Sequence, residues 1–129
     1  MTSRRFLPSL VLVAAGLLGL SACGGGSSSS SNTVPADADV VVRAVDGIAW
    51  NAKEYTAVAG EVTIYGVNDS PVAHNLYVLD ESEAVIGDFI DLPRRGDEGT
   101  RVFTLEAGAY RIVCKIPGHA SMNSALTVS

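Results

Sequence analysis

An all-β sandwich of about seven or eight short strands is the fold class this sequence predicts. Three observations predict it. Valine-rich or alternating apolar–polar stretches of strand length recur from Asp39 to Val128. Gly, Asn, Asp and Pro turn signals separate them at short intervals. No stretch carries the 3.6-residue apolar period of an amphipathic helix.

Taken in order, Asp39–Val45 is β-branched and ends in the turn pair Asp46-Gly47. Ile48–Tyr55 is less regular and surrounds Trp50, the one tryptophan. Ala59-Gly60 turns the chain into Glu61–Val67, which alternates as a half-buried strand does. Asn68-Asp69-Ser70-Pro71 is a dense turn signal. Ala73–Leu79 follows as a strand, then Asp80–Glu83 as a surface turn. Ala84–Leu92 holds a weak strand and Pro93–Gly99 a charged loop. Thr100–Leu105 alternates again, and Glu106-Ala107-Gly108 turns into Ala109–Cys114. Ser124–Val128 closes the chain as a last strand. Val62, Ile64, Val67, Leu76, Val78, Val102, Leu105, Tyr110 and Ile112 are the expected buried layer between two sheets.

Not all of the 129 residues belong to that domain. Met1–Arg5 is basic, Phe6–Leu20 is apolar, and small residues follow, which is the pattern of an export signal over residues 1–22. Pro8 and two glycines interrupt the apolar run, and no basic stop-transfer cluster follows it, so a retained membrane span is not expected. Arg4-Arg5 is compatible with the twin-arginine route as well as the general one. Leu20-Ser21-Ala22-Cys23 resembles the bacterial lipobox, which implies that Cys23 is lipidated and begins the mature chain. Residues 23–36 then form a lipidated cysteine with a Gly/Ser tether, because such a composition cannot bury a core. Residues 37–129 are left for one small domain. The expected location is therefore outside the cytoplasm, anchored to a bacterial cell membrane.

Without Arg4 and Arg5 the chain keeps 7 basic residues against 14 acidic ones, a net charge of −7. No basic patch is available for phosphates, so nucleic acid is not an expected partner. The acidity suits solubility at a membrane surface and equally the steering of a basic partner.

The chemistry lies in a short inventory. Apart from Cys23 and the initiator, the chain holds one cysteine, two histidines and one methionine: Cys114, His74, His119 and Met122. Three of these fall in the segment Cys114-Lys115-Ile116-Pro117-Gly118-His119-Ala120-Ser121-Met122, and His74 opens a strand in mid-chain. Each alone has a bland reading: a strand-end or loop histidine, a small buried cysteine, a core methionine. As a set they match one site. A thiolate and two imidazoles with a weak thioether are the ligands of a blue-copper centre, where sulfur suits Cu(I) and imidazole suits Cu(II). Pro117-Gly118 supplies a tight turn that returns the chain after Cys114. Cys114 has no disulfide partner although exported chains usually pair their cysteines, and a metal would protect it.

Across residues 39–129 the chain resembles the cupredoxins, the plastocyanin and azurin group. His74-Asn75, the strand Gly108–Cys114, and the loop Cys114–Met122 with the strand Ser124–Val128 carry the resemblance. It implies a Greek-key β-sandwich that binds a single copper ion through His74, Cys114, His119 and Met122. It implies that Asn75 ties its strand to the ligand loop. It also implies that electrons pass through His119, within a surface formed by Pro117, Gly118 and Ala120. The expected function is electron transport between membrane-associated redox proteins, by a monomer and without catalysis. Both histidines are used by one site, which leaves none for a second, catalytic copper. The alternatives are an extracytoplasmic copper carrier or buffer, and a β-sandwich interaction module. A carrier would be expected to show Met- and His-rich tracts, and this chain has none.

Overall fold

A computed structural model describes residues 32–129. The expectations for residues 1–22, for Cys23 and for most of the tether lie outside the described residues.

Nine strands form two facing sheets. They are β1 (Val40–Val45), β2 (Ala49–Trp50), β3 (Glu54–Ala57), β4 (Gly60–Asn68), β5 (His74–Leu79), β6 (Val85–Leu92), β7 (Glu98–Leu105), β8 (Gly108–Val113) and β9 (Asn123–Val128). One sheet runs β2-β1-β4-β7 and the other β3-β9-β8-β5-β6. Both are mixed: β1 lies parallel to β4 and β3 parallel to β9, and the remaining pairs are antiparallel.

Strand alternation builds the core. In β1, Val40, Val42 and Ala44 point inward, and in β9 Ser124, Leu126 and Val128 are the buried set. The irregular stretch around Trp50 resolves into β2 and β3, which brings the strand count to nine. These two short pieces lie in different sheets, so the chain crosses the sandwich edge between Trp50 and Glu54. A crossing interrupts alternation, which is why no regular pattern is visible there.

Two inward assignments need correction. Val102 is 58% exposed, and Phe103 takes its place in the core beside Leu105. Val102 and Leu105 are three positions apart, and a period of two puts them on opposite faces. The same parity separates Val67 from Ile64. Val67 is buried, but it lies outside the main core cluster, whereas Val62 and Ile64 belong to it. Tyr110 is half-buried against that cluster.

Strands from the two sheets approach closely at β6 and β7. The pairing of β5 with β6 shifts register between Leu76 and Val78, and Gly87 takes a φ of +62° within that irregularity. Ile90 then reaches across to the other sheet. It faces Gly66 and Gly99, and a Cβ on Gly99 would lie 2.7 Å from Ile90 Cγ2.

One end of the sandwich collects the chemistry. There β4 ends at Asn68, β5 begins at His74, and β8 ends at Val113, one residue before Cys114.

Candidate metal centre

The ligand loop is shaped by its turns. His119 N–H donates to Ile116 C=O at 3.0 Å, closing a four-residue turn over Pro117 and Gly118. Pro fixes the first central φ, and Gly118 supplies the positive φ, +88°, that a type II turn needs at the second. Met122 N–H donates to His119 C=O at 2.9 Å in a second turn. Cys114 N–H donates to Met122 C=O at 3.1 Å and closes the neck of the loop. The loop is pinned on both sides. Lys115 N–H donates to Asn75 Oδ1 at 2.7 Å, and Ser121 Oγ donates to Ile48 C=O at 2.9 Å.

These constraints bring together residues 40 positions apart. The donor atoms of His74, Cys114 and His119 all lie within 4.8 Å of one another. Cys114 Sγ is 3.5 Å from His119 Nδ1, and the two imidazole centroids are 4.9 Å apart at 51°. Met122 is buried in the same core cluster as Cys114. His74 is fully buried, whereas His119 keeps 9% of its surface, with Pro117, Gly118 and Ala120 exposed around it.

His74 is the informative group. Its Nε2 lies 2.7 Å from Ser70 Oγ, but its Nδ1 is buried with no hydrogen-bond partner. A buried polar atom left unpaired costs about 1–3 kcal/mol. Burial pushes the His74 pKa down, and the neighbouring His119 pushes it the same way. Both effects favour the neutral imidazole, the form that ligates metal.

The donor set fits a single copper ion. Ligand distances of about 2.0–2.3 Å for a first-row ion place its ligands close together, as these are. One thiolate and two imidazoles beside a thioether suit both copper oxidation states. A structural zinc site more often draws four Cys and His ligands, and only three are gathered here.

Three solved structures show the same architecture. An azurin from Methylomonas sp. strain J superposes with a TM-score of 0.61 at 18% identity, over 73% of this chain and 99% of that one. A purple cupredoxin from Nitrosopumilus maritimus gives 0.55 at 25% identity, over 70% and 100%. Reduced rusticyanin gives 0.59 at 19%, over 74% and 87%. The protein has the cupredoxin fold. No family model and no curated protein sequence matches it.

Within this cupredoxin fold, several residues around the ligands were not legible as part of the site. Ser70 was visible only as a turn residue, yet it is buried against His74. Asn68 is also fully buried. Its Oδ1 accepts from Ser70 N–H at 2.8 Å, and its Nδ2 donates to the carbonyls of Val72 and Leu92. Trp50 lies with its ring centroid 6.2 Å from that of His74. The Asn-Asp-Ser-Pro cluster was the available signal for Asn68 and Ser70, and nothing in the sequence pointed from Trp50 to the site.

Proposed function

We propose that the protein is an electron carrier holding one type 1 copper ion on His74, Cys114, His119 and Met122. One observation carries this reading: both histidines of the chain converge with Cys114, and His74 Nδ1 is buried without a partner. When bound, copper supplies a one-electron Cu(II)/Cu(I) couple.

The residues supply the rest. His74, Cys114 and Met122 are buried, which excludes water from most of the ligand shell. Cross-links from Asn75 and Ile48 hold the loop, so the ligands keep one arrangement in both oxidation states. Low reorganisation favours fast electron exchange. His119 alone of the imidazoles reaches the surface, and it provides the route by which an electron enters and leaves. Pro117, Gly118 and Ala120 form an uncharged contact surface there for a redox donor and acceptor. No substrate is bound and no residue acts as a catalyst.

The chain's start supports a location for this activity. In this reading residues 1–22 are removed on export, and Cys23 is lipidated. The Gly/Ser tether then holds a monomeric domain near a bacterial membrane, within reach of membrane-associated partners.

The decisive experiment adds one equivalent of Cu(II) to the purified protein and records the visible spectrum. The expected outcome is an intense thiolate-to-copper charge-transfer band that disappears on reduction and is absent from Cys114→Ser. Voltammetry is then expected to show a reversible one-electron wave. A folded protein with a free thiol and no such band would overturn the reading and leave a β-sandwich interaction module. A band without reversible cycling, together with transfer of Cu(I) to a partner, would make it a copper carrier.

A further inference from the structure

We infer that the domain is held with its copper-binding end towards the membrane that carries its anchor, which makes this end a docking surface for a redox protein of that same membrane. The inference rests on the proposed lipidation of Cys23 and deepens that reading, and the orientation itself does not depend on copper.

The chain enters the fold at the copper-binding end. Asn32 Nδ2 donates to Gly96 C=O at 3.0 Å, and Gly96 N–H donates to Asn68 C=O at 2.7 Å. Gly96 lies in the connection between β6 and β7, which starts where Leu92 pairs with His74. From there the chain runs back along β4 to Asp39. Asp39 N–H donates to Thr63 C=O at 2.9 Å, and Asp39 Oδ2 accepts from Thr63 N–H at 2.7 Å. Asn32–Asp39 is thus tied to the domain at both ends, and whatever precedes Asn32 leaves from beside the 93–97 loop.

Reach decides which end faces the anchor. Nine peptide steps separate Cys23 from Asn32. Fully extended they span at most about 32 Å, and a Gly/Ser coil of that length averages about 17 Å end to end. The nine residues of β4 alone run about 30 Å from the copper-binding end to the far end of the sandwich. To turn the far end to the membrane, the tether would have to double back along the whole domain at nearly full stretch. With the copper-binding end facing the membrane it needs no stretch.

Charge sorts the two ends the same way. The connections at the far end, 36–39, 58–59, 80–84 and 106–107, carry Asp37, Asp39, Asp80, Glu81, Glu83 and Glu106 and no lysine or arginine. Those at the copper-binding end, 46–48, 69–73, 93–97 and 114–122, carry three acidic and three basic residues. An anionic headgroup layer repels the first end and not the second, within about a Debye length.

The resulting surface fits a partner in the membrane. His119 with the uncharged Pro117, Gly118 and Ala120 then faces the headgroups, within the tether's reach of an integral membrane protein. The acidic end is left to the solvent.

The test uses the full-length protein, extracted from membranes and placed 15N-labelled in nanodiscs of phosphatidylglycerol and phosphatidylethanolamine. Mass spectrometry first reports whether Cys23 carries lipid. An unmodified Cys23 would overturn the inference through its anchor and leave the copper reading standing. Amide spectra of the copper-free protein are then compared with and without a gadolinium-chelating lipid. The expected result is loss of the Val72, Arg95 and Gly118 signals, with those of Ser82 and Ala107 retained. The reverse pattern, or equal loss at both ends, would overturn the inference. Because the measurement needs no copper, a failure of the folded protein to bind copper would remove the electron-carrier reading and leave the orientation standing.

Discussion

Gly118 carries the ligand loop's reversal through its backbone alone. Its φ of +88° lies in the region that side chains with a Cβ avoid, yet a Cβ there would meet nothing within 4 Å. Any penalty for Gly118→Ala is therefore conformational and not steric. The expected cost is about 1–2 kcal/mol of unfolding free energy, read as a shifted urea midpoint at constant slope. Because the turn returns His119 to Cys114, copper release is expected to accelerate as well. A variant with wild-type stability and release would show that another residue shapes the loop. This residue was legible in the sequence, since Pro-Gly names a turn type by its chemistry. Ser70 was not. Its contact with His74 depends on how the Asn68 side chain folds the turn, and residue identity does not encode that geometry.

Strands were legible wherever one face meets the core and the other meets water. β1, β5 and β9 follow their alternation closely. Alternation is lost where that condition fails. From Ile64 onward β4 is buried on both faces, so apolar identity no longer names a side, and Val67 was placed on the wrong one. On β7 the exposed Val102 looked as suitable for the core as Phe103. The contact between β6 and β7 was invisible for a related reason: its signal is the absence of a side chain. At Gly99 the missing Cβ makes room for Ile90, so Gly99→Ala must push Ile90 or separate the two sheets. Overpacking of this kind costs about 1–3 kcal/mol. Gly108→Ala is the control. Its nearest atom to a Cβ is 3.8 Å away, and a change within about 0.5 kcal/mol is expected. Equal thermal shifts for the two variants would refute the packing account.

The whole domain is acidic, and its ion pairs are few and exposed: Arg43–Asp69, Arg94–Asp97, Arg95–Asp46 and Arg111–Glu83. Exposed pairs contribute about 0–1 kcal/mol each, so they do not dominate the pH dependence of folding. Two tyrosines, Tyr65 and the half-buried Tyr55, do at the alkaline end. Burial pushes the Tyr65 hydroxyl up to about 12, and its 2.6 Å hydrogen bond to Glu98 Oε2 and the charge of that carboxylate push the same way. Burial likewise raises Tyr55 to about 12, against a small opposing effect of the Ala52 backbone. The sign follows from proton counting. Below about pH 10 both folded and unfolded chains hold these protons, and the full stability is present. Above that, the unfolded chain releases them while the folded chain keeps them, so the unfolded state gains. Stability is therefore expected to fall from about pH 10 and to go on falling until the folded hydroxyls ionise near 12. Tyr65→Phe gives up the Glu98 hydrogen bond, so it starts less stable at neutral pH. It also removes one of the two titrating groups, so its alkaline decline is shallower and the two curves converge as pH rises. Urea melts of both proteins between about pH 8 and 12 would read this directly. Parallel curves over that range would mean that Tyr65 ionises as easily folded as unfolded, and that its partly buried hydrogen bond to Glu98 does not hold the proton.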